Sequence, residues 1–236
     1  MEPIFADTLS IISQIFPKEP SVRYKSLLKY RQLYEGQTKS NITIVNEDCI
    51  DACVRIAKSD MTCRIGLLNM ASERCPGGGV KKFAIAQEED ICRRTSLYPT
   101  LLQQHYPIRP DEVFYSPNVK VIKNADFSRL LPMLNIAGIV SAAAIRRPVI
   151  KNGEFAIVDA ALLKNKVRMV LETFEYHAMD HIVLGAWGCG AFRNPPKQVA
   201  IIFRDILEEF YFQHVTFAIA HNEHNLKTFK DVFSYV

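Results

Sequence analysis

The chain has 236 residues, 48% of them hydrophobic and 23% charged, which is enough apolar material for one sizeable core with at most a small appendage. A formal net charge of +4, scattered without a dense basic block, tolerates anionic ligands but argues against a duplex nucleic-acid binder. No secretory pattern opens the chain, its six cysteines include no CxxC pair, and its longest apolar run, Leu131 to Ile145, falls short of the ~20 residues that span a bilayer. The expectation is a membrane-free protein with free thiols in a reducing compartment, cytoplasmic or nuclear.

Taken in order, TLSIISQIF (8–16) and VRYKSLLKYRQLYEG (22–36) read as two helical stretches separated by the breaker PKEPS. Residues 1–40 are therefore expected to form a helical N-terminal extension packed on the domain over 41–236. From residue 41 strands and helices alternate. NITIVN precedes the helical CIDACVRIAK, and IGLLNMA runs into a glycine loop followed by the helical AIAQEEDICRRTSLY. EVFYSPNVKVIK and MLNIAGIVSAA read as central strands, and ALLKNKVRMVLETFEYHAM as a helix. The last third repeats the alternation with HIVLGAWG, PKQVAIIFRDILEEFYFQ, VTFAIAH and NLKTFKDVFSY. This pattern predicts an α/β domain with a mostly buried sheet.

Two strands run straight into glycine-rich turns, at LLNMASERCPGGGV (67–80) and VLGAWGCGAFRNPP (183–196). Open α/β sheets bind ligands where strands deliver their carboxyl ends. Gly77, Gly78 and Gly79 remove every Cβ from a short stretch, so backbone N–H groups can approach an anion. Gly188-Cys189-Gly190 does the same just before a helix led by prolines, whose dipole adds attraction for phosphate. Each loop alone is also an ordinary turn; together they suggest a diphosphate site.

Between the first loop and the next helix stand Gln87, Glu88, Glu89 and Asp90. Acids at a helix N-terminus favour its dipole with no further purpose. The competing reading is catalytic: a carboxylic acid partly desolvated beside a phosphate loop can protonate a glycosidic oxygen and then accept a proton from water.

At PGGGVKKFAIAQEEDICRR the sequence resembles the bacterial-type poly(ADP-ribose) glycohydrolases, a branch of the macrodomain fold, whose signature is a triple glycine followed after a short spacer by Gln-Glu-Glu. NEDCIDACVRIA, LLNMASERCPGGG, EEDICRRTSLYPTL, VLGAWGCGAFRNPP and FAIAHNEHN resemble the corresponding stretches in the same order, from about Asn46 to Asn225. The resemblance implies a macrodomain-like three-layer α/β/α fold with a mixed central sheet. It implies hydrolysis of the O-glycosidic bond between ADP-ribose units, with Glu89 as acid and base and Glu88 orienting a ribose hydroxyl. Gln87 completes the motif among the substrate-binding residues. Gly77, Gly78, Gly79 and Val80 would cover the distal ribose and diphosphate. Gly188, Cys189, Gly190 and Ala191 would form the second diphosphate loop, Phe192 would pack on adenine, and Asn69 and Ser72 would meet ribose hydroxyls. ADP-ribose and ADP-ribosylated proteins are the implied partners, a monomer is expected, and the scheme requires no metal or redox cofactor. One departure stands out. The family spacer carries small residues, including a glycine about where this chain has Phe83, and a bulky aromatic beside two lysines bears on the preference for polymer over a single linked ADP-ribose.

Other conspicuous residues have plainer readings. Trp187 reads as core, His221 and His224 lack the partners that would complete a metal site, and Arg93 and Arg94 read as solvated or paired surface charges. Cys49, Cys53, Cys63 and Cys92 read as small buried hydrophobes. The alternatives to a polymer hydrolase are a hydrolase of single protein- or nucleic-acid-linked ADP-ribose, a non-catalytic ADP-ribose reader, and an inactive scaffold.

Overall fold

A computed structural model describes residues 1–15, 19–25 and 39–234. In chain order these form α1 (Glu2–Ile15), β1 (Val22–Lys25), β2 (Asn41–Val45), α2 (Cys49–Ser59), β3 (Ile65–Met70), α3 (Gln87–Arg94), β4 (Glu112–Lys123) and β5 (Arg129–Ala142). A two-stranded hairpin of β6 (Ile150–Lys151) and β7 (Glu154–Phe155) follows, then α4 (Ile157–Tyr176), β8 (His181–Leu184), α5 (Pro196–Leu207), β9 (His214–Ala218) and α6 (Glu223–Phe233). The main sheet has seven strands in the order β1-β4-β5-β3-β8-β9-β2. The β1–β4 and β4–β5 pairs are antiparallel and the other four are parallel, which makes the sheet mixed.

The period-2 geometry of strands divides their apolar side chains between two cores. Leu68, Val113, Tyr115, Val140, Ile182, Leu184 and Phe217 face a cluster completed by α4, α5 and α6. Their neighbours Leu67, Phe114, Ile139 and Val183 face a second cluster completed by α1, α2 and α3. Helices on both faces of a mixed sheet give the expected three-layer, macrodomain-like architecture. Trp187 is core, fully buried, with its indole N–H donating to the Ala142 carbonyl at 3.2 Å.

Three readings need correction. Val22–Lys25 is a strand, although the run starting there was expected to be helical: it pairs with β4 in the register Val22 to Tyr115 and Lys25 to Glu112. An available sheet edge overrides local helix propensity; the rest of that run, 26–38, lies outside the described residues. Cys63 is only partly buried, unlike Cys49, Cys53 and Cys92. Arg93 and Arg94 are not surface charges, being 0% and 2% exposed. Arg94 joins Asp48 at 2.9 Å, Asp90 at 3.2 Å and Asp51, so one buried guanidinium fastens α2 to α3. Asp48 also caps α2, accepting from the Ile50 and Asp51 amides.

Candidate active site

The site begins where β3 and β8 part. Their ladder ends at Leu67 and Val183, leaving the β3 backbone beyond it without a strand partner on that side. The Gln87 side chain takes the partner's place. Its amide oxygen accepts from the Met70 N–H at 2.7 Å and its amide nitrogen donates to the Leu68 carbonyl at 2.8 Å. Buried backbone groups need such partners, and this one ties the first residue of α3 to the sheet. Gln87 is thus engaged with the protein through both ends of its amide, although it also borders the cleft.

The two glutamates that follow hang from the first glycine loop. The Ser72 amide donates to Glu88 Oε2 at 2.6 Å, and the Gly79 amide donates to Glu89 Oε1 at 2.7 Å. Both residues are buried, 3% and 6% exposed, and Glu88 Oε1 and Glu89 Oε2 have no hydrogen-bond partner among the described residues. Burial pushes the Glu88 carboxyl up to about 8; the Ser72 amide opposes the shift, the Glu89 charge adds to it, and Asn69 and the Gly77 amide oppose it. Glycine is required in this loop by close approach. Gly78 has φ +53°, and a Cβ there would lie 2.5 Å from Glu89 Oε1 and 2.9 Å from Glu88 Oε2. Gly77 has φ +65° and lies against the Tyr98 ring.

The first loop therefore cradles acids more than anions. The Val80 amide is also taken, donating to the Gly77 carbonyl at 3.0 Å, and the Val80 side chain is in the core. Asn69 is fully buried; its Nδ2 donates to Ser141 Oγ at 3.0 Å, and its Oδ1 has no partner among the described residues. Ser72 Oγ accepts from the Arg74 amide at 3.1 Å.

The second loop differs. Among the described residues, no acceptor sits on the amides of Gly190, Ala191 and Phe192, and Gly190 and Ala191 are exposed. Asn194 fastens the loop from below, donating through Nδ2 to the carbonyls of Ile145 and Gly188. Gly188, at φ +75°, leaves no room for a Cβ against Ala144 and Asn194. The Cys189 thiol is pushed up to about 12 by burial. Phe192 is half-buried, and the Arg146 guanidinium lies 4.2 Å from its ring centre. A cleft of about 760 Å³ lies at the carboxyl ends of β2, β3, β8 and β9, bordered by Asn46, Met70, Gln87, Gly190 and Ala218. Open α/β sheets bind ligands in such a position; Gln87 and Gly190 border this cleft, whereas Glu88, Glu89 and Phe192 do not line it.

Residues 17–124 match the family described as microbial-type PARG, catalytic domain. The poly(ADP-ribose) glycohydrolase from Thermomonospora curvata is 24% identical with a TM-score of 0.82, each chain covered over 98%, which shows the shared fold. A point mutant of the Deinococcus radiodurans glycohydrolase, solved in complex with ADP-ribose, is 30% identical with a TM-score of 0.74, over 85% of this chain and 87% of that one. The chain belongs to the microbial-type poly(ADP-ribose) glycohydrolases. A search of curated proteins finds no match.

One residue of this glycohydrolase was misread from sequence and two were missed. Arg93 is buried beneath the spacer and donates to the Ala84 carbonyl at 2.5 Å and the Val80 carbonyl at 3.4 Å. Tyr106 lies near Glu88; burial first, and then the Glu88 charge, push its phenol up. Arg146 pairs with Glu73 at 2.6 Å while covering Phe192, which links the two loops. A basic residue on a buried helical face is the only signal that could have flagged Arg93; Arg146 sits in a turn without pattern.

The Glu88 shift has a consequence for stability. Between its unfolded value of about 4.5 and its folded value of about 8, the folded glycohydrolase holds a proton that the unfolded chain releases, so stability falls as pH rises through that window. Urea midpoints from pH 4.5 to 8 are expected to fall less steeply in Glu88→Gln than in the unsubstituted chain. Equal slopes would refute the assignment.

Proposed function

We propose that this glycohydrolase cleaves the ribose–ribose O-glycosidic bond of poly(ADP-ribose) to release ADP-ribose, with Glu89 as the acid and base. The observation that carries the reading is the suspended acid pair. Each glutamate accepts from a loop amide through one oxygen, and its other oxygen has no hydrogen-bond partner among the described residues, the two standing side by side at the foot of the glycine loop. The amides of Gly190, Ala191 and Phe192, which meet no acceptor among the described residues, and the crevice that Gly190 borders suit a diphosphate and an adenosine. The solved Deinococcus relative was crystallised with ADP-ribose, and the Thermomonospora relative with the inhibitor ADP-HPD.

In the proposed reaction, substrate binding presses the terminal ribose against the acids. As the anomeric C–O bond breaks, its electron pair stays with the departing ribose oxygen, which takes the proton from Glu89. The positive charge left on the sugar is eased by the adjacent diphosphate. Water then attacks the anomeric carbon and gives a proton to Glu89, restoring the acid. Glu88 holds a neighbouring ribose hydroxyl, a task its raised carboxyl suits because the protonated form can donate as well as accept. Asn69, Ser72 and the triple-glycine loop frame that ribose, and Phe192, stiffened by Arg146, offers its other face to adenine. Gln87 and Val80 act as positioning residues through their engagement with β3 and the core.

The same reading takes ADP-ribosylated proteins as the source of polymer and a monomer as the working unit. Its compartment is reducing and cytoplasmic, in keeping with six free thiols and with the absence, among the described residues, of any helix long and apolar enough to cross a membrane. The test is incubation with poly(ADP-ribose) and, separately, with proteins carrying single ADP-ribose groups, followed by chromatography of the released sugar. Free ADP-ribose from polymer is expected; release only from singly modified proteins would replace the polymer reading.

A further inference from the structure

Phe83 is an aromatic residue that neither core uses. It is 52% exposed and holds φ +63°, a left-handed backbone that is unfavourable for a bulky side chain. The strain is not a loose loop's accident, because both sides of the residue are fastened. The Lys82 amide donates to the Gly79 carbonyl at 2.7 Å, the Ala84 amide to the same oxygen at 3.3 Å, and the fully buried Arg93 holds the Ala84 carbonyl at 2.5 Å. The segment presents an exposed apolar ridge of Phe83 and Ile85, the latter 80% exposed, beside two exposed cations, Lys81 and Lys82.

The ridge adjoins the reacting groups. Ala84 packs against Gly79, where an added Cβ would come within 2.7 Å of the Ala84 Cβ, and the Gly79 amide holds Glu89. Ile85 borders the crevice. In a polymer of ADP-ribose the departing group is the ribose of the next unit, which brings an adenine and a diphosphate with it. A surface that receives this group needs an aromatic face for a purine and cations for phosphates. Phe83, Lys81 and Lys82 supply both, on a rigid mount beside the acid that protonates the departing oxygen.

We infer that Phe83 and Ile85, with Lys81 and Lys82, form a subsite for the leaving ADP-ribose unit, giving this chain a preference for polymer over singly attached ADP-ribose. The inference rests on the glycohydrolase reading above. Its occupant is the purine nucleotide of the neighbouring unit, and its contribution is absent once terminal ADP-ribose has been released.

The experiment compares the unsubstituted chain, Phe83→Gly, Phe83→Trp, and the double substitution Lys81→Gln with Lys82→Gln. It measures KM and kcat on size-fractionated poly(ADP-ribose), the inhibition constant of free ADP-ribose, and the melting temperature. Glycine suits φ +63°, so Phe83→Gly is expected to melt no lower than the unsubstituted chain. Its polymer KM is expected to rise about ten-fold, the scale of one base–aromatic stack, with the ADP-ribose inhibition constant unchanged within two-fold. Phe83→Trp is expected to restore the KM, and the lysine pair to flatten its salt dependence. An unchanged polymer KM in Phe83→Gly, or a parallel rise in the ADP-ribose inhibition constant, would overturn the subsite. No polymer turnover by the unsubstituted chain would instead overturn the glycohydrolase reading itself.

Discussion

Glu89→Gln is expected to lower ADP-ribose release from polymer by roughly 10³-fold, the range over which a positioned general acid and base contributes, while binding of ADP-ribose stays within a few-fold. The geometry explains the split. Glutamine keeps an oxygen for the Gly79 amide, so the 2.7 Å bond and the loop it shapes can persist. What is lost is the proton that the second oxygen would carry. Stopped assays of released ADP-ribose, together with calorimetry of ADP-ribose binding, measure the two quantities separately. Turnover within ten-fold of the unsubstituted chain would remove Glu89 from the catalytic role, and binding lost in step with turnover would make it a structural residue.

Gly78→Ala is expected to cost on the order of 10²-fold in kcat, the penalty of moving reacting groups by about an ångström. The new methyl group would sit 2.5 Å from Glu89 Oε1 and 2.9 Å from Glu88 Oε2, distances at which atoms must move. Neither carboxylate can retreat freely, because the Gly79 amide holds one and the Ser72 amide the other. Alanine at φ +53° adds about 1–2 kcal/mol of backbone strain, small enough for the chain to fold. Circular dichroism establishes folding, and kcat on polymer reads the displacement. Retained kcat in a folded Gly78→Ala chain would mean that the loop does not fix the acid pair.

The architecture was legible because β3, β8 and β9 are buried along nearly their whole length and read as short apolar runs between helical stretches. β1 was not, since VRYK alternates apolar and charged residues over only four positions at the head of a longer run that reads as helical, and it becomes a strand where the β4 edge is there to pair with it. Both glycine loops were found, but their division of labour was hidden. Whether an amide faces a ligand or a carboxylate of the same chain depends on where α3 lands, and no local pattern records that. Arg93 and Arg94 were misread for a related reason: adjacent arginines look solvated until Asp48 and Asp51 from α2, Asp90 one turn back, and two loop carbonyls close around them. The Gln-Glu-Glu motif, by contrast, stood out through family resemblance, while the burial that raises the Glu88 carboxyl is visible only in the folded chain.

Gln87 gives that motif a further meaning. With its amide seated on the Leu68 carbonyl and the Met70 N–H, it serves as one more rung of the sheet, contributed by a helix. The two glutamates after it consequently inherit the placement of a β-ladder rather than that of a loop. Anyone transplanting this acid pair into another α/β frame would therefore have to carry residues 68–70 and 87 together. Without that shared rung, the glycines and glutamates could be copied faithfully and still face the wrong way.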